Sequence, residues 1–301
     1  MKLTILGCHS ALPKLGHNVS AQILEIQNEI FLIDCGEGTQ LLLRRNKIKF
    51  SRIKNIFISH LHGDHYFGLV GLISTFSLLN RTNDLNIYGP LGIKDLILNQ
   101  LKAGNSWTNF KLNFNELKDT NPLTIFKSEF IEVSTIPLNH RIYTNGFIFK
   151  EINLPKRINQ HAAKLKKINI AYYNKLKQGY DVFNELNEKI LNSEVTFDSR
   201  PTKSYAYCSD TQYDESIIEQ LKNCSVLYHE STFLDKHIKL AKSTKHSTAK
   251  QAAMIAKKAS VELLILGHYS SRYNSYQDFL NEAKLIFNNV ILSEDNKIIN
   301  I

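Results

Sequence analysis

The sequence predicts an α/β fold, and two observations support that prediction. Short apolar runs typical of buried strands alternate along the 301 residues with longer runs whose apolar positions recur at helical spacing. No internal repeat and no low-complexity linker interrupts this alternation. A pattern of this kind is typical of sheets whose faces are covered by helices.

Each element is predicted from its own pattern. Continuous apolar runs such as 55–59 predict strands, whereas apolar residues three or four apart, as in 248–259, predict helices. The predicted strands, some with a polar loop at their ends, are 2–6, 20–26, 29–33, 55–59, 85–90, several within 106–137, 146–152, 205–210, 225–232, 262–271 and the closing segment 288–301. The predicted helices are 41–48, 67–79, 92–102 and 248–259.

The composition, 43% hydrophobic and 22% charged, is ordinary for a soluble globular protein. No run approaches the roughly 18 apolar residues that a membrane span needs, so we expect no membrane contact. The apolar start of the chain is too short for the core of a signal peptide. The four cysteines include no C-x-x-C pair, and we therefore expect free thiols in a reducing cytoplasm.

The charge is basic and unevenly distributed. The formal net charge is +9 and the sequence pI is about 9.2, which suits an anionic partner such as nucleic acid. Between Lys150 and Tyr180, eight Lys or Arg residues face a single acid, Glu151. The segment is interpreted either as a solvated pair of charged helices or as a surface for a nucleic acid.

The stretch 59–65, SHLHGDH, concentrates three histidines and an aspartate between an apolar strand and a predicted helix. Its candidate residues are His60, His62, Asp64 and His65. In open α/β folds, sites are built at the carboxyl ends of strands. Imidazole and carboxylate suit zinc and similar divalent metals. The stretch predicts a metal site, and the alternative is a solvated histidine-rich loop.

Three further strands end in a side chain that can bind a metal. These residues are His140, Asp210 and His268. Taken singly, each is an ordinary polar residue at the end of a strand. If the strand ends share one edge of a sheet, their side chains converge with those of 59–65.

The chain contains, in this order, LIDCGEGTQ, IFISHLHGDHYFGLVGL, SDT, HEST and GHYSSRY. These motifs resemble the ribonuclease Z family, in its short bacterial form, within the metallo-β-lactamase superfamily. The H-x-H-x-D-H pattern is shared by the superfamily, whereas DCGEGTQ together with SSRY singles out this branch. The resemblance runs from Leu3 to the C-terminus. It implies a single metallo-β-lactamase domain over 1–301, an αββα sandwich of two mixed sheets, with a protruding basic tRNA-binding arm at 153–185.

The resemblance also implies two metal ions per subunit, zinc or alternatively manganese. Asp64 would in addition accept a proton from the bridging water, since a carboxylate facing two cations stays ionised. The implied ligands are His60, His62 and His140 for the first metal, Asp64, His65 and His268 for the second, and Asp210 as the bridge between them.

Three residues, His246, Asp34 and Arg272, have two interpretations each. Arg272 either contacts a phosphate or only pairs with an acid. His246 is either the proton donor to the leaving oxygen or a phosphate contact, as the resemblance implies, or a solvent-facing residue before a helix. Glu230 would orient it. Asp34 is either a turn residue or the partner of a ligand histidine. His9, His161, His229 and His237 match no ligand position and are interpreted as structural or surface residues.

The chain departs from the family pattern in two places. The N-terminal loop reads PKLGHN at 13–18, with His17 where the family usually has arginine. Histidine is not reliably charged near neutral pH, which argues against tight phosphate binding at this loop. The tip of the arm contains Tyr172 and Tyr173 and lacks proline; these tyrosines are expected to pack within the arm rather than to stack on bases.

The sequence therefore predicts a zinc-dependent endoribonuclease that removes 3′ trailers from precursor tRNA and leaves a 3′-hydroxyl on the tRNA. The resemblance further implies a homodimer. Two alternatives stay open: another hydrolase of the superfamily that acts on small phosphodiesters or thioesters, and a metal-bearing RNA-binding protein without turnover. The basic segment favours the first interpretation over a small substrate, and Asp64 favours it over a binding protein.

Overall fold

Two seven-stranded sheets lie in the larger of two units into which the chain divides. The computed structural model describes residues 1–12 and 14–301, so Pro13 of the 13–18 loop lies outside the described residues. The larger unit comprises Met1–Lys127, Ile131–Lys150 and Lys203–Ile301. The smaller unit comprises Ser128–Phe130 and Glu151–Thr202.

The first sheet has the strand order β18-β1-β2-β3-β4-β5-β6. Its N-terminal strands pair antiparallel, whereas β3 to β6 pair parallel. Its strands are β1 (Lys2–Gly7), β2 (Ala21–Ile26), β3 (Glu29–Cys35), β4 (Ile53–Phe57), β5 (Leu85–Pro90), β6 (Leu112–Leu117) and β18 (Ile298–Asn300).

The second sheet has the order β17-β16-β15-β14-β9-β8-β7. The four strands from β14 to β17 pair parallel, and β14 pairs antiparallel with β9. Its strands are β7 (Thr124–Lys127), β8 (Ile131–Leu138), β9 (Thr144–Glu151), β14 (Ser204–Cys208), β15 (Val226–Glu230), β16 (Leu263–Gly267) and β17 (Val290–Leu292).

The two sheets face each other across an aromatic core. Phe31 of the first sheet lies 5.4 Å, centroid to centroid, from Phe149 of the second, and Phe57 lies 5.4 Å from Phe147. Burying such rings contributes the largest apolar areas in a core. The outer face of the first sheet packs on helices in a second apolar cluster. This is the predicted αββα arrangement of two mixed sheets, and the α/β fold class is confirmed.

Among the described residues, the larger unit has eight helices, four of which lie close to the predicted 41–48, 67–79, 92–102 and 248–259. They are α1 (Thr39–Arg45), α2 (Gly63–Tyr66), α3 (Leu69–Leu78), α4 (Ile93–Ala103), α8 (Ile218–Leu221), α9 (Ile238–Thr244), α10 (Ala249–Lys258) and α11 (Gln277–Lys284), with short 3₁₀ turns at Phe50–Arg52, Glu215–Ile217 and Asp235–His237. A capping box formed by Thr248 and Gln251 begins α10.

The predicted helix 67–79 begins two residues later than predicted, at Leu69, with Gly68 as its N-cap residue. The backbone N–H of Gly68 donates to the carbonyl of Cys35 at 2.9 Å. A Cβ at this position would lie 2.1 Å from the carbonyl oxygen of Gly36, so glycine is required by this close approach. The contact fixes the loop that holds 59–65 against the end of β3.

The smaller unit has its own apolar core of six buried side chains. These are Ala163, Ile168, Leu176, Val182, Ile190 and Val195. It contains β10 (Arg157–Ile158), α5 (Gln160–Leu165), a 3₁₀ turn at Ile170–Tyr172, α6 (Tyr173–Lys177), β11 (Val182–Phe183), β12 (Lys189–Ile190), α7 (Asn192–Val195) and β13 (Thr196–Phe197). Of the tyrosines in the arm, Tyr173 packs against this core as expected, whereas Tyr172 is 37% exposed and Tyr180 is 63% exposed.

Candidate active site

The predicted metal-binding side chains all follow strand ends and meet at one place in the larger unit. The stretch 59–65 follows β4, His140 follows β8, Asp210 follows β14 and His268 follows β16. The side chains form two groups, each with candidate ligand atoms within 4.8 Å of one another. The strand ends do meet, but not at the edge of one sheet as the sequence argument supposed, because β4 belongs to the first sheet and β8, β14 and β16 belong to the second.

The first group joins three imidazoles and a carboxylate. Nε2 of His60 lies 3.0 Å from Nδ1 of His62, which lies 3.3 Å from Nε2 of His140. Asp210 completes the group. Three ring nitrogens this close, with no apolar side chain between them, form the kind of donor set that binds a divalent metal.

The second group consists of Asp64, His65 and His268. Oδ2 of Asp64 lies 3.3 Å from Nε2 of His65 and 3.4 Å from Nε2 of His268. Both histidines are almost completely buried. Among the described residues, Nε2 of His65 is buried without a hydrogen-bond partner. A buried ring nitrogen of this kind costs free energy unless a further group binds it, which fits a metal at this position.

Asp210 faces both groups with different oxygens. Its Oδ1 lies 3.4 Å from Nε2 of His65 and 3.2 Å from Nε2 of His268. Its Oδ2 lies 3.6 Å from Nε2 of His60 and 3.8 Å from Nε2 of His140. The carboxylate is therefore placed to bridge two cations.

A buried hydrogen-bond network around Asp34 orients the histidines of the centre. Asp34 accepts from Nδ1 of His65 at 2.7 Å and from Tyr207 Oη at 2.7 Å. Ser59 Oγ donates to Asp34 and can then accept from Nδ1 of His60 at 3.1 Å. Because Nδ1 of His60 and Nδ1 of His65 are engaged in these hydrogen bonds, Nε2 of each ring is available to bind a metal at the centre. Asp34 lies within β3 with a φ of 55°, rather than in a turn, and it makes the contact to a ligand-type histidine that the resemblance implied.

Two more contacts orient the other histidines. Nδ1 of His140 donates to the carbonyl of Lys245 at 2.9 Å. Thr232 donates its hydroxyl proton to Glu230 at 2.7 Å and therefore accepts from Nδ1 of His268 at 2.9 Å. The role of Thr232 was missed, although it ends the HEST motif on which the resemblance partly rests.

The protonation states follow from burial and neighbouring charge. Burial, with the neighbouring His65, holds the pKa of His60 well below its usual range, and burial lowers the pKa of His62 and His140. These rings are therefore neutral and can donate a lone pair. Burial alone would raise the pKa of Asp64 and Asp210, but neighbouring imidazoles outweigh it and hold both below their usual range.

His246 lies beside the centre and is paired with Glu230. Nδ1 of His246 lies 2.8 Å from Oε1 of Glu230 and 4.0 Å from Oδ2 of Asp210. Burial would lower the pKa of His246, but the Glu230 carboxylate outweighs it and raises that pKa to about 9. The contact that the resemblance implied between these residues is present, and it keeps His246 protonated at neutral pH.

Comparison with known proteins places this centre in a family. A family model described as Anti-Pycsar protein Apyc1 matches residues 1–175. Ribonuclease Z of Bacteroides thetaiotaomicron is 44% identical over 300 residues, covering 100% of this chain and 95% of the relative. Ribonuclease Z of Cytophaga hutchinsonii is 45% identical over 296 residues, covering 98% and 94%.

The chain belongs to the ribonuclease Z family. Among solved structures, the short form of human tRNase Z matches with a TM-score of 0.73 and 28% identity, covering 100% of this chain and 99% of that chain. The match to residues 1–175 ends inside the smaller unit, whereas the ribonuclease Z relatives extend to the end of the chain. The metallo-β-lactamase fold of the family and the two groups of ligand-type residues together indicate a site for divalent metal.

The centre opens into a cavity of about 780 Å³. His62, Asp64, Asp210, His246 and His268 contribute to its wall. Arg141, which no pattern in the sequence singled out, also lines the cavity and has no acidic partner among the residues that the structure describes.

Two further residues considered in the sequence, Arg272 and His17, differ in their position relative to the cavity. Arg272, for which a phosphate contact was considered, is not part of the wall, and its guanidinium lies 5.8 Å from the ring centroid of Phe233. His17 does line the cavity.

Within the described residues, none of the helices combines the length and the apolar composition that a membrane crossing needs.

Proposed function

We propose that this protein is the metal-dependent endoribonuclease that removes 3′ trailers from precursor tRNA, leaving a 3′-hydroxyl on the tRNA. The observation that supports this most strongly is the Asp210 carboxylate, whose two oxygens face two separate groups of ligand-type side chains at the base of a cavity. The full-length relatives named Ribonuclease Z and the human structure titled tRNase Z support the substrate.

The residues fit two divalent cations, which we propose to be zinc, with manganese as the alternative. His60, His62 and His140 would hold the first, and Asp64, His65 and His268 the second, with Asp210 shared. When bound, such a pair activates water and stabilises the charge that develops on the phosphate. Neutral imidazoles and ionised carboxylates are the forms that bind metal, and these are the forms that the pKa directions at His60, His62, His140 and the two aspartates favour.

Two residues would handle the protons of the reaction. The oxygen of water joins phosphorus, the bond from phosphorus to the 3′-oxygen breaks, and the phosphate stays on the trailer. Asp64, an ionised carboxylate at the edge of the cavity, would accept a proton from the attacking water. His246, kept protonated by Glu230, would donate a proton to the leaving 3′-oxygen.

The smaller unit would bind the tRNA through its phosphates. The proposed arm, 153–185, lies within this unit, which runs on to Thr202. Lys166 is paired with Glu194 and Lys156 with Asp198. Four other lysines have no ion-pair partner among the described residues, and their ammonium groups are therefore free to meet phosphate: Lys164, Lys167, Lys175 and Lys177. Phosphate contacts supply affinity without reading sequence, which suits an enzyme for many different tRNAs.

We further propose that the protein acts as a homodimer in the cytoplasm.

The experiment that tests the function uses a precursor tRNA with a 3′ trailer, incubated with the protein and zinc or manganese, and maps the new 3′ end. One cut directly after the discriminator base, absent in an Asp64→Ala variant, is the expected result. No cut, with hydrolysis of bis(4-nitrophenyl) phosphate retained, would instead favour a hydrolase of small phosphodiesters. Binding without any hydrolysis would favour a non-catalytic RNA-binding protein.

A further inference from the structure

A large aromatic side chain lies exposed in the cavity beside the candidate centre. Phe67 lines the cavity and is 60% exposed, whereas aromatic rings that stabilise a fold are usually largely buried. Within the described residues, its only ring contact is with Tyr66, edge to face at 5.1 Å between centroids. The proposed mechanism uses no property of Phe67. Its exposure at the site of cleavage therefore calls for another explanation.

Gly63 supports the Phe67 ring from behind. A Cβ on Gly63 would lie 2.1 Å from Cε2 of Phe67 and 2.5 Å from both adjacent ring carbons, Cδ2 and Cζ. These three distances place Gly63 over one face of the ring, where any side chain larger than hydrogen would displace it. Because His62 and Asp64 flank Gly63 in the sequence, the ring packs against the backbone of the metal-binding stretch. The opposite face is the exposed one.

The wall around Phe67 is acidic. Glu37 is exposed and lines the same cavity, and its side chain has no hydrogen-bond or ion-pair partner in the part of the chain that the structure describes. The loop of Glu37 contacts that of Phe67, since the carbonyl oxygen of Gly36 would lie 2.1 Å from a Cβ on Gly68. An acidic side chain repels phosphate. This side of the wall therefore suits a nucleobase better than the RNA backbone.

The opposite side of the wall is basic and includes His246. Arg141 lines the cavity directly after His140, whose ring centroid lies 5.1 Å from that of His246. In the proposed reaction, His246 donates a proton to the leaving 3′-oxygen, which belongs to the last nucleotide of the tRNA. The nucleotide before the cut therefore lies on this basic side of the cavity.

The first nucleotide of the trailer is expected on the side of Phe67. In an in-line displacement, water attacks phosphorus opposite the leaving oxygen, so it enters from the side of its proposed proton acceptor, Asp64. The phosphate stays on the trailer, whose first nucleotide is thus held on this side. Phe67 follows Asp64 by three residues and packs against the same stretch. A 3′ trailer is single-stranded beyond the paired stem, and its bases are free to stack on aromatic side chains.

We propose that Phe67 binds the substrate by stacking its exposed face on the base of the first trailer nucleotide. The proposal rests on the proposed endoribonuclease function and assigns a further binding residue to that same site. Every base has a π-face, so stacking accepts all four bases. Phe67 would thus position the trailer next to the cut without selecting its sequence, which suits an enzyme for many different precursors.

Paired changes in the protein and the substrate test the stacking. Phe67→Leu keeps an apolar side chain but removes the aromatic face, and a precursor tRNA without the base of its first trailer nucleotide removes the stacking partner. Each change alone should lower kcat/KM by about tenfold, and both together should cost no more than either alone. Phe67→Tyr, which keeps the face, should stay within about threefold of the wild type. The matched control is Trp107→Leu, at an aromatic residue 70% exposed and outside the cavity, which should leave kcat/KM unchanged.

A second abasic precursor, without the base of the last tRNA nucleotide, locates the contact. Its loss of kcat/KM should be the same factor in the wild type and in Phe67→Leu. If the effects of Phe67→Leu and base removal overlap at this nucleotide instead, Phe67 contacts the tRNA side of the cut and the assignment to the trailer is wrong. Effects that multiply independently at both nucleotides would overturn stacking altogether.

Stacking is also measured without cleavage, in an Asp64→Ala background. The fluorescence of 2-aminopurine falls when this base stacks, so a precursor tRNA carrying it as the first trailer base should be quenched on binding to the protein with Phe67. The same precursor should be quenched much less by a protein that also carries Phe67→Leu. Equal quenching by both proteins would contradict the proposal. A wild type that leaves precursor tRNA intact while hydrolysing bis(4-nitrophenyl) phosphate would instead overturn the proposed function on which this inference rests.

Discussion

Replacing Glu230 by glutamine removes one negative charge beside His246. The glutamine side chain has nearly the same shape as the glutamate that it replaces. Glu230 is fully buried and raises the pKa of His246 from an ordinary 6.5 to about 9. A folded-state pKa above the ordinary value means that the protonated form of His246 persists up to about pH 9 and is lost above it. Without the carboxylate, we expect the pKa to fall toward 6.5, so the proton needed for the leaving oxygen is lost above about that pH.

The size of the effect follows from these two pKa values. At pH 7.5, His246 is about 97% protonated with a pKa of about 9 and about 9% protonated with a pKa of 6.5, a difference of about tenfold. At pH 6 the same comparison gives less than a twofold difference. The ratio of wild-type to Glu230→Gln rates should therefore be about ten at pH 7.5 and shrink toward one at pH 6.

The substitution also has a structural cost that must be separated from its effect on the proton. Oε1 of Glu230 accepts from the backbone N–H of Thr211 at 3.0 Å, and Oε2 accepts from the backbone N–H of Thr232 at 2.9 Å. An amide nitrogen must face one of these donors, which should cost about 1–3 kcal/mol of folding free energy. Thermal unfolding measures this loss, and Glu215→Gln, at an exposed carboxylate, is the control that should change neither stability nor rate appreciably.

Three assays test the reasoning. An NMR titration of the metal-free protein should give a pKa of about 9 for His246 and a value near 6.5 in Glu230→Gln. Cleavage rates between pH 6 and 9 should show the changing ratio. A substrate with sulfur in place of the leaving 3′-oxygen needs no proton on departure, and the deficit of the variant should vanish with it. If the rate deficit of Glu230→Gln is constant with pH and persists with the sulfur substrate, the role of Glu230 in keeping His246 protonated is refuted. Glu230 would then have a structural role only.

The remaining predictions concern the centre and the smaller unit. Asp64→Ala should abolish cleavage while the Kd for precursor tRNA stays within about threefold, and near-normal rates would remove Asp64 as the proton acceptor. Zinc at about 100 times its Kd should raise the free energy of unfolding by about 2.7 kcal/mol, an increase that Asp210→Ala should largely abolish; an equal increase in both proteins would place the metal elsewhere. Changing Lys164, Lys167, Lys175 and Lys177 to glutamine should weaken tRNA binding and reduce the slope of log K against log salt by roughly 3, whereas the same change at the ion-paired Lys156, Lys166 and Lys189 should leave it almost unaltered. Equal slopes in the two variants would count against phosphate binding by the unpaired lysines.

The residues that meet at the centre could be singled out in the sequence because their signal is local: each is a histidine or aspartate shortly after an apolar strand. That the strands belong to two facing sheets, with β4 in one and β8, β14 and β16 in the other, could not be read from the sequence. Most strands were predicted because their signal is local as well. Helix α11, by contrast, was missed because its sequence, QDFLNEAK, buries only Phe279 and Ala283 among polar residues. Too few apolar positions recur there for the spacing to stand out.

Residues that act through distant partners were not visible in the same way. Asp295 lies close to His9 in the structure but near the other end of the chain in sequence. No pattern in the sequence around either residue indicates this contact. Arg141 and Thr232 reach the site because the loops after β8 and β15 open into the same cavity. His17 illustrates the difference most clearly. From the sequence it is a lost arginine and an argument for weak phosphate binding, whereas in the fold it lines the cavity with its Nδ1 2.6 Å from Nε2 of His9. The surroundings of His17 are thus set by a histidine eight positions earlier and, through it, by a carboxylate near the end of the chain, and neither contact can be read from the loop itself.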